Sequence, residues 1–431
     1  MRTTTFILAA LATFYATAQE HTEVHPTTPT NQSLDVVVGD TLKKSSAKVY
    51  NTLVGNAPAT PNSQDLPKFS IIGKDNKFYL SIGAQFKSTV NYDWGNPLSS
   101  PSSFTPSSIT KATPGNSSNL DFTVQRSRLS FNFVGLPDTE NQLGVYIALI
   151  FNKGGNEYGV KINHAYAKYH GFTIGYTSTL FSDQTAIPYT IDAQSPNSTA
   201  NFSNTVINFE NHFQNNMKIG IGLEKPLCSI TTNEYTSTVS QLIPDIPAYI
   251  QYRWNKNSHI RLSGILRNMK YRDIVTNSNS DVFGWGAKLS GILELHNFTF
   301  YYMGSYGKGM ASYIEDNTGL NLDLVPSNIT NGKLEATKSW GAYGAIQYNF
   351  SKRLFCTAIY SKIKNSMNNY VDGSTLYDNQ YKQGQYAVAN IIWSPNKYIQ
   401  TGLEYLWGNR TNFDNTTHHN NRIMAMFSVS L

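Results

Sequence analysis

Seven cations share a pattern in this sequence: Lys87, Arg126, Arg128, Arg253, Arg261, Arg267 and Lys288 each alternate with apolar neighbours. Around Arg126 and Arg128, Leu129, Phe131 and Phe133 take one parity, while Arg126, Arg128, Ser130 and Asn132 take the other. An extended chain sends successive side chains to opposite faces, so the guanidinium groups part from the phenyl rings. If the apolar face meets lipid, the cations face inward, because an arginine on lipid at the midplane costs ~2–4 kcal/mol. The chemistry open to such a set makes no covalent bonds. Fixed cations in a narrow, water-filled passage with low-dielectric walls focus the field and favour anions. Arginine adds a permanent charge and a two-pronged grip on carboxylates. Asp93, Glu224, Glu294 and Glu404 take inward parity as well. Two readings therefore stand: each cation braces the wall by pairing with an acid, or the cations set selectivity together.

A second set lies on a long segment, Thr179 to Ser203, with Asp183, Tyr189 and Asp192. Its Ile187-Pro188-Tyr189 run is apolar enough to pack inside a lumen, so this segment is the expected constriction loop. Lys308, opening another long loop, is expected at the pore mouth. Signals for enzymatic chemistry are poor. His164 has no serine partner at matching spacing, and His418-His419 with Asp414 reads as an exposed polar loop. Cys228 and Cys356 form no disulfide framework. No phosphate-binding glycine loop or Cys/His cluster is present, so no catalytic residue, metal or cofactor is expected.

The elements that carry these residues read as strands. Phe78, Leu80, Ile82, Ala84 and Phe86 share one face, with Ser81, Gly83, Gln85 and Lys87 on the other. Similar alternation recurs through Ile423 to Leu431. The connections alternate long and short, from the long 94–119 and 179–203 to the tight His170-Gly171 and His296. A sandwich has no reason to gather its long loops at one end, whereas a barrel in an outer membrane does. The expectation is an all-β, antiparallel transmembrane barrel of about 16 strands, a size that leaves an aqueous channel. Composition agrees. Charged residues are only 14%, Tyr (27) and Phe (22) are abundant, and no apolar run reaches the ~18 residues of a spanning helix. Trp94, Trp254, Trp393 and Trp407 at strand ends fit interfacial girdles. The net charge of +6 has no Lys/Arg cluster behind it, so no nucleic-acid partner is expected.

Residues 1–18 read as a signal peptide, with Arg2, the apolar run Phe6 to Ala12 and an Ala16-Thr17-Ala18 cleavage site. Residues 19–76 read as a polar, mostly unstructured periplasmic segment, and 77–431 as the barrel. The closing alternation ends on Leu431, where barrels usually end on Phe or Trp.

Several segments resemble the DcaP-like trimeric outer-membrane porins. They are Gln125-Arg126-Ser127-Arg128-Leu129-Ser130-Phe131, His164-Ala165-Tyr166-Ala167, Gly175 to Asp183, Ile243-Pro244-Asp245-Ile246-Pro247, Gly284-Trp285-Gly286, Tyr306-Gly307-Lys308-Gly309, and Gly402 to Gly408 followed by Asn421-Arg422-Ile423. Their order and spacing cover roughly Phe78 to Leu431. The resemblance implies a homotrimer in outer-membrane lipid that passes small, mainly anionic solutes such as dicarboxylates. The family's periplasmic coiled coil is not expected, since no sustained heptad appears. Two alternatives stay open: a channel specific for one nutrient, such as phosphate or a sugar, and a plugged structural or adhesin barrel.

Overall fold

The computed structural model describes residues 35–38, 69–72 and 77–430, with short interruptions at 97, 99, 113, 116, 138, 155–156, 214–215, 256, 328–331 and 368–377. Residues 1–34, with the expected signal peptide, lie outside the described residues.

Sixteen strands close into one antiparallel barrel. They are β1 (Phe78–Trp94), β2 (Arg128–Gly135), β3 (Leu143–Gly154), β4 (Glu157–Tyr169), β5 (Phe172–Ser178), β6 (Ser203–Phe213), β7 (Met217–Glu224) and β8 (Ile246–Arg253). They continue as β9 (His259–Asp273), β10 (Ser278–Leu295), β11 (Phe298–Lys308), β12 (Lys338–Ser351), β13 (Leu354–Ser366), β14 (Tyr381–Trp393), β15 (Ile399–Asn412) and β16 (Thr417–Ser430). Each pairs with its neighbours in sequence, and β16 returns to pair with β1. Closure removes every wall edge that lipid would otherwise leave unsatisfied. Two short pieces of the 19–76 segment are strands: Asp35–Val38 pairs with Phe69–Ile72, which pairs with β1 at Tyr79–Ile82.

Period-2 alternation accounts for the wall. On β9, Ile260, Leu262 and Leu266 face outward and are exposed, while Arg261, Ser263 and Arg267 are buried inside. Hairpin turns at one end are short, as at 170–171 and 296–297. The long loops L1 (95–117), L3 (179–202), L4 (225–245) and L6 (309–337) all leave the opposite end.

One wall strand is broken. Ser118–Thr123 pairs with the upper half of β1, and β2 with the lower half. Thr123 stands opposite Thr89 and Arg128 opposite Gln85, so four residues face three and the ladder carries a bulge. Arg126 lies in that bulge with a φ of 69°. The expectation that Arg126 and Arg128 stand on one regular strand is therefore corrected: the bulge, not alternation, aims Arg126.

The barrel seam is held by charge. Arg422 on β16 stands directly opposite Asp93 on β1 and grips it with two bonds of 2.7 Å. Its third arm donates to the Ser100 and Ser103 carbonyls of L1. Both side chains are buried, so removing one partner leaves an uncompensated charge, at a cost of about 3–5 kcal/mol. Arg422→Leu should lower stability in guanidinium unfolding from lipid vesicles by that order, and Arg422→Leu with Asp93→Leu should recover much of it. A double variant no more stable than the single one would contradict this account of the seam.

Candidate functional site

The loops that leave the long end fold back into the lumen. Phe104 and Ile109 of L1 and Ala186 and Ile191 of L3 pack against wall residues Tyr301, Tyr343, Phe355, Tyr386 and Leu406. Phe181 of L3 and Met310, Tyr313 and Ile314 of L6 form a second cluster with Ile265, Ile363 and Tyr381. Apolar burial therefore fills the side of the lumen lined by β9–β16. The sequence points to L3 as the constriction, and L3 does fold inward. That L1 and L6 accompany it was not foreseen, because their inward residues are scattered among Ser, Thr and Asn.

L3 is fixed along its whole length. At Asp183 the carboxylate accepts a 2.7 Å bond from Ser290 Oγ and lies 3.0 Å from His259 Nε2. Burial alone would raise this carboxyl, but the His259 ring and the Arg261 charge outweigh it and hold it well below the usual range. The Ala186 carbonyl accepts from Tyr343 OH at 2.9 Å. Tyr189 packs edge-on against Phe355 and donates its hydroxyl to Gln400. The Ile191 and Asp192 amides donate to the Glu404 carboxylate at 2.8 and 2.7 Å, and Lys87 Nζ donates to the Ile191 carbonyl at 2.8 Å. Asp192 in turn accepts from the Phe104 amide of L1 and from Tyr386 OH, at 2.7 and 2.8 Å. Burial still pushes its carboxyl up to about 6.

Other inward carboxylates do the same work. Asp316 accepts from the Ser107 amide of L1, Asn197 of L3 and Tyr381. Asp323 accepts from the Ser229 amide of L4 and the Ser312 amide of L6, and Glu224 from the Leu180 amide of L3.

The sequence-selected cations separate into two kinds. Arg267 is fully buried in ion pairs with Asp245 at 3.1 Å and Asp323 at 3.2 Å, and it also donates to the Gly309 and Leu227 carbonyls. It braces L4 and L6. Lys87 is engaged by L3, and Lys288 sits buried over the Phe181 ring. Arg261 stacks 3.5 Å above the Tyr249 ring and donates to the Leu180 carbonyl of L3. Arg126 and Arg128 differ: neither has an ion-pair partner among the described residues, and the Nε of each is buried without a hydrogen bond. Lys308 faces outward and not into the mouth, because it shares the parity of Tyr306.

Arg128, Arg253 and Arg261 line one cavity of about 300 Å3 with Lys168 and Lys218, against only Asp183 and Glu210 among acids. It lies beneath the L3 stem, along β2–β9, where loop packing leaves room. Glu210 is already bonded to Lys218 at 2.8 Å. Lys168 and Lys218 stand at alternating positions and were legible in principle; a register shift on the β3–β4 hairpin between Ala148 and Leu149 obscures the parity around His164. Glu315 of L6 is half-buried and lies within electrostatic reach of Arg126 and Lys161. Burial raises its carboxyl to about 7 despite Arg126.

Close packing of L3 on the wall gives a direct test. A Cβ on Gly341 of β12 would stand 2.8 Å from the Ser198 Cβ. Gly341→Val should push L3 toward the open side and lower single-channel conductance in planar bilayers without preventing barrel formation. A folded variant with native conductance would show that L3 does not limit the passage.

The chain matches known proteins over most of its length. Residues 102–427 match a family model described as Porin subfamily. No curated protein matches the sequence. The outer membrane channel DcaP of Acinetobacter baumannii superposes with a TM-score of 0.71 at 18% identity, covering 83% of this chain and 99% of that one. An anion-selective porin from Comamonas acidovorans gives 0.54 at 8% identity, covering 82% and 100%. A loop deletion mutant of OmpT from Vibrio cholerae gives 0.52 at 9% identity, again covering 82% and 100%.

Proposed function

This chain belongs to the porin subfamily, and we propose that its outer-membrane channel prefers small anions, dicarboxylates among them. The observation that carries this reading is the asymmetry of the inward charges. Most inward carboxylates are occupied by loop amides or buried cations, whereas Arg126 and Arg128 have no ion-pair partner among the described residues and each keeps a buried Nε without a hydrogen bond. The cavity beneath L3 has five cations against two acids, which supports the same sign. Low-dielectric walls strengthen such a field over what bulk water allows. The DcaP-like resemblance supports a homotrimer, and residues 1–18 support export with cleavage after Ala18. The channel makes and breaks no bonds: solutes exchange water for fixed donors and leave down their gradient.

The narrow cavity favours a second reading, a channel specific for one nutrient such as phosphate or a sugar. Conductance would then be blocked in a saturable way by that solute.

Arg126→Glu with Arg128→Glu should move the reversal potential under a KCl gradient toward the cation value. An unchanged potential would remove both residues from selection.

Glu315 adds a pH dependence. Its carboxyl, raised to about 7, is charged above that pH and neutral below it. The lumen therefore gains positive charge as pH falls, and Asp192, at about 6, adds to the effect further down. Anion preference should rise between pH 8 and 6, and Glu315→Gln should flatten the upper part of that rise. A native slope in the variant would assign the titration elsewhere.

A further inference from the structure

Two buried carboxylates in this lumen stand around one hydroxyl. Tyr313 Oη of L6 lies 3.0 Å from Glu224 Oε2, at the top of β7, and 2.9 Å from Asp245 Oδ2, at the end of L4. All three residues are only 1% exposed, so bulk water does not reach them. The two acids are fixed side by side, because their backbones exchange hydrogen bonds of 2.9 and 3.1 Å. A phenol carries a single hydrogen and donates it once. With both carboxylates ionised, one of the two short contacts would set lone pairs against lone pairs. The geometry therefore requires one more proton. It sits on a carboxyl that donates to Tyr313, while Tyr313 donates to the other acid.

The neighbours decide which acid carries it. Arg267 on β9 pairs with Asp245 at 3.1 Å and with Asp323 of L6 at 3.2 Å, and Asp323 also accepts the Ser229 and Ser312 amides. Glu224 has no ion-pair partner among the described residues. L3 gives it the Thr179 hydroxyl and a 3.3 Å bond from the Leu180 amide, and β6 sets Val206 opposite it. Cys228 of L4 also faces the group, but burial pushes its thiol up to about 12, so it stays neutral. Burial likewise holds the Tyr313 hydroxyl well above the usual phenol range, so the phenol keeps its own hydrogen. Fully ionised, the group would set three buried carboxylates against one guanidinium. A proton on Glu224 removes the charge that nothing else compensates.

We propose that the proton shared by Glu224, Tyr313 and Asp245 latches the constriction, and that its loss as pH rises releases L3 and L6 and widens the passage. The Tyr313 ring packs against Phe181 at 6.0 Å and Phe202 at 5.4 Å, near the two ends of L3. Glu224 holds the same stem through the Leu180 amide, and Asp245 ties in L4. One proton thus bears on three loops. The docked state holds it, whereas a released state with Glu224 in water does not. Raising the pH therefore favours release, by at most about tenfold per pH unit for a single proton. The latch presupposes the channel proposed above but not its preference for anions.

Single-channel recordings and infrared spectra of the full-length protein between pH 6 and 9 test this together. Native conductance should rise with pH, and the carbonyl band of a buried, protonated carboxyl should fade in parallel. E224Q keeps a donor for Tyr313 but cannot titrate, so it should hold the low-pH conductance up to pH 9 and lose the Glu224 part of the fading band. Y313F keeps the ring on Phe181 and Phe202 but removes the bridging oxygen, so it should conduct at pH 6 as the native protein does at pH 9. E315Q, which bears on selectivity, should leave the conductance rise in place. The proposal is overturned if E224Q opens with pH as the native protein does, or if native conductance is flat across the range. A band that fades without any change in conductance equally overturns it, since the proton would then hold no loop. If E224Q does not fold, Y313F decides: native conductance at pH 6 in that variant overturns the latch. Absence of conductance at every pH would instead refute the channel. Hydrogen exchange in L3 and L6 peptides would then decide the latch, which requires faster exchange in native protein at pH 9, beyond the intrinsic pH effect, and none in E224Q.

Discussion

A loop that enters the lumen brings backbone amides with it, and every amide there needs an acceptor. That requirement organises the whole interior. A barrel of sixteen strands satisfies its own wall, but L1, L3, L4 and L6 have little regular structure and pair only some of their N–H groups internally. Buried carboxylates supply the acceptors. Glu404 takes two amides of L3, Asp192 links L3 to L1, Asp316 links L6 to L1, and Asp323 links L6 to L4. The loops thus become one interlocked lining. A hydrogen bond to a charged acceptor is stronger than one to a neutral group, and leaving such an acceptor unsatisfied costs more.

The electrostatic character of the passage follows from that division of labour. Acids committed to amides, or to Arg267 and Arg422, present little free negative charge to water. Arg126 and Arg128 have no such commitment among the described residues. Arg126 is held in the left-handed region by a bulge, a conformation rarely kept by a non-glycine residue unless its surroundings impose it. The bulge separates its guanidinium from the regular row that carries Arg128 and turns it toward Lys87 and Glu315. The two arginines therefore leave the wall at different points, one from a bulge and one from a regular ladder.

Much of this was legible in the sequence, for physical reasons. Alternation in Phe78 to Lys87 and its repeats marks a half-buried wall, and the alternation of long and short connections marks its two ends. L3 declared itself through Ile187-Pro188-Tyr189. What the sequence concealed was long-range pairing. Arg267 reads like Arg128 until Asp245 and Asp323 appear beside it, the second contributed by a loop far along the chain. The Arg126 bulge was hidden too, because a single inserted residue leaves the hydrophobic count unchanged while shifting parity. Lys308 was misplaced for a related reason: it sits at the junction of strand and loop, where only register decides the face.

The seam between β1 and β16 bears on how the protein comes to exist at all. Asp93 and Arg422 are 329 residues apart, so their contact waits for nearly the entire chain. Until then β1 presents an unpaired edge from Gln85 to Trp94, and each hairpin added to the growing sheet moves the open edge along without removing it. Contacts of such separation form slowly, and exposed edges invite pairing with other chains. Because Arg422 also holds L1 through Ser100 and Ser103, sealing the wall and drawing the first loop inward are one event. A barrel not yet closed is therefore both unsealed and without this hold on its first loop, and it acquires the two together.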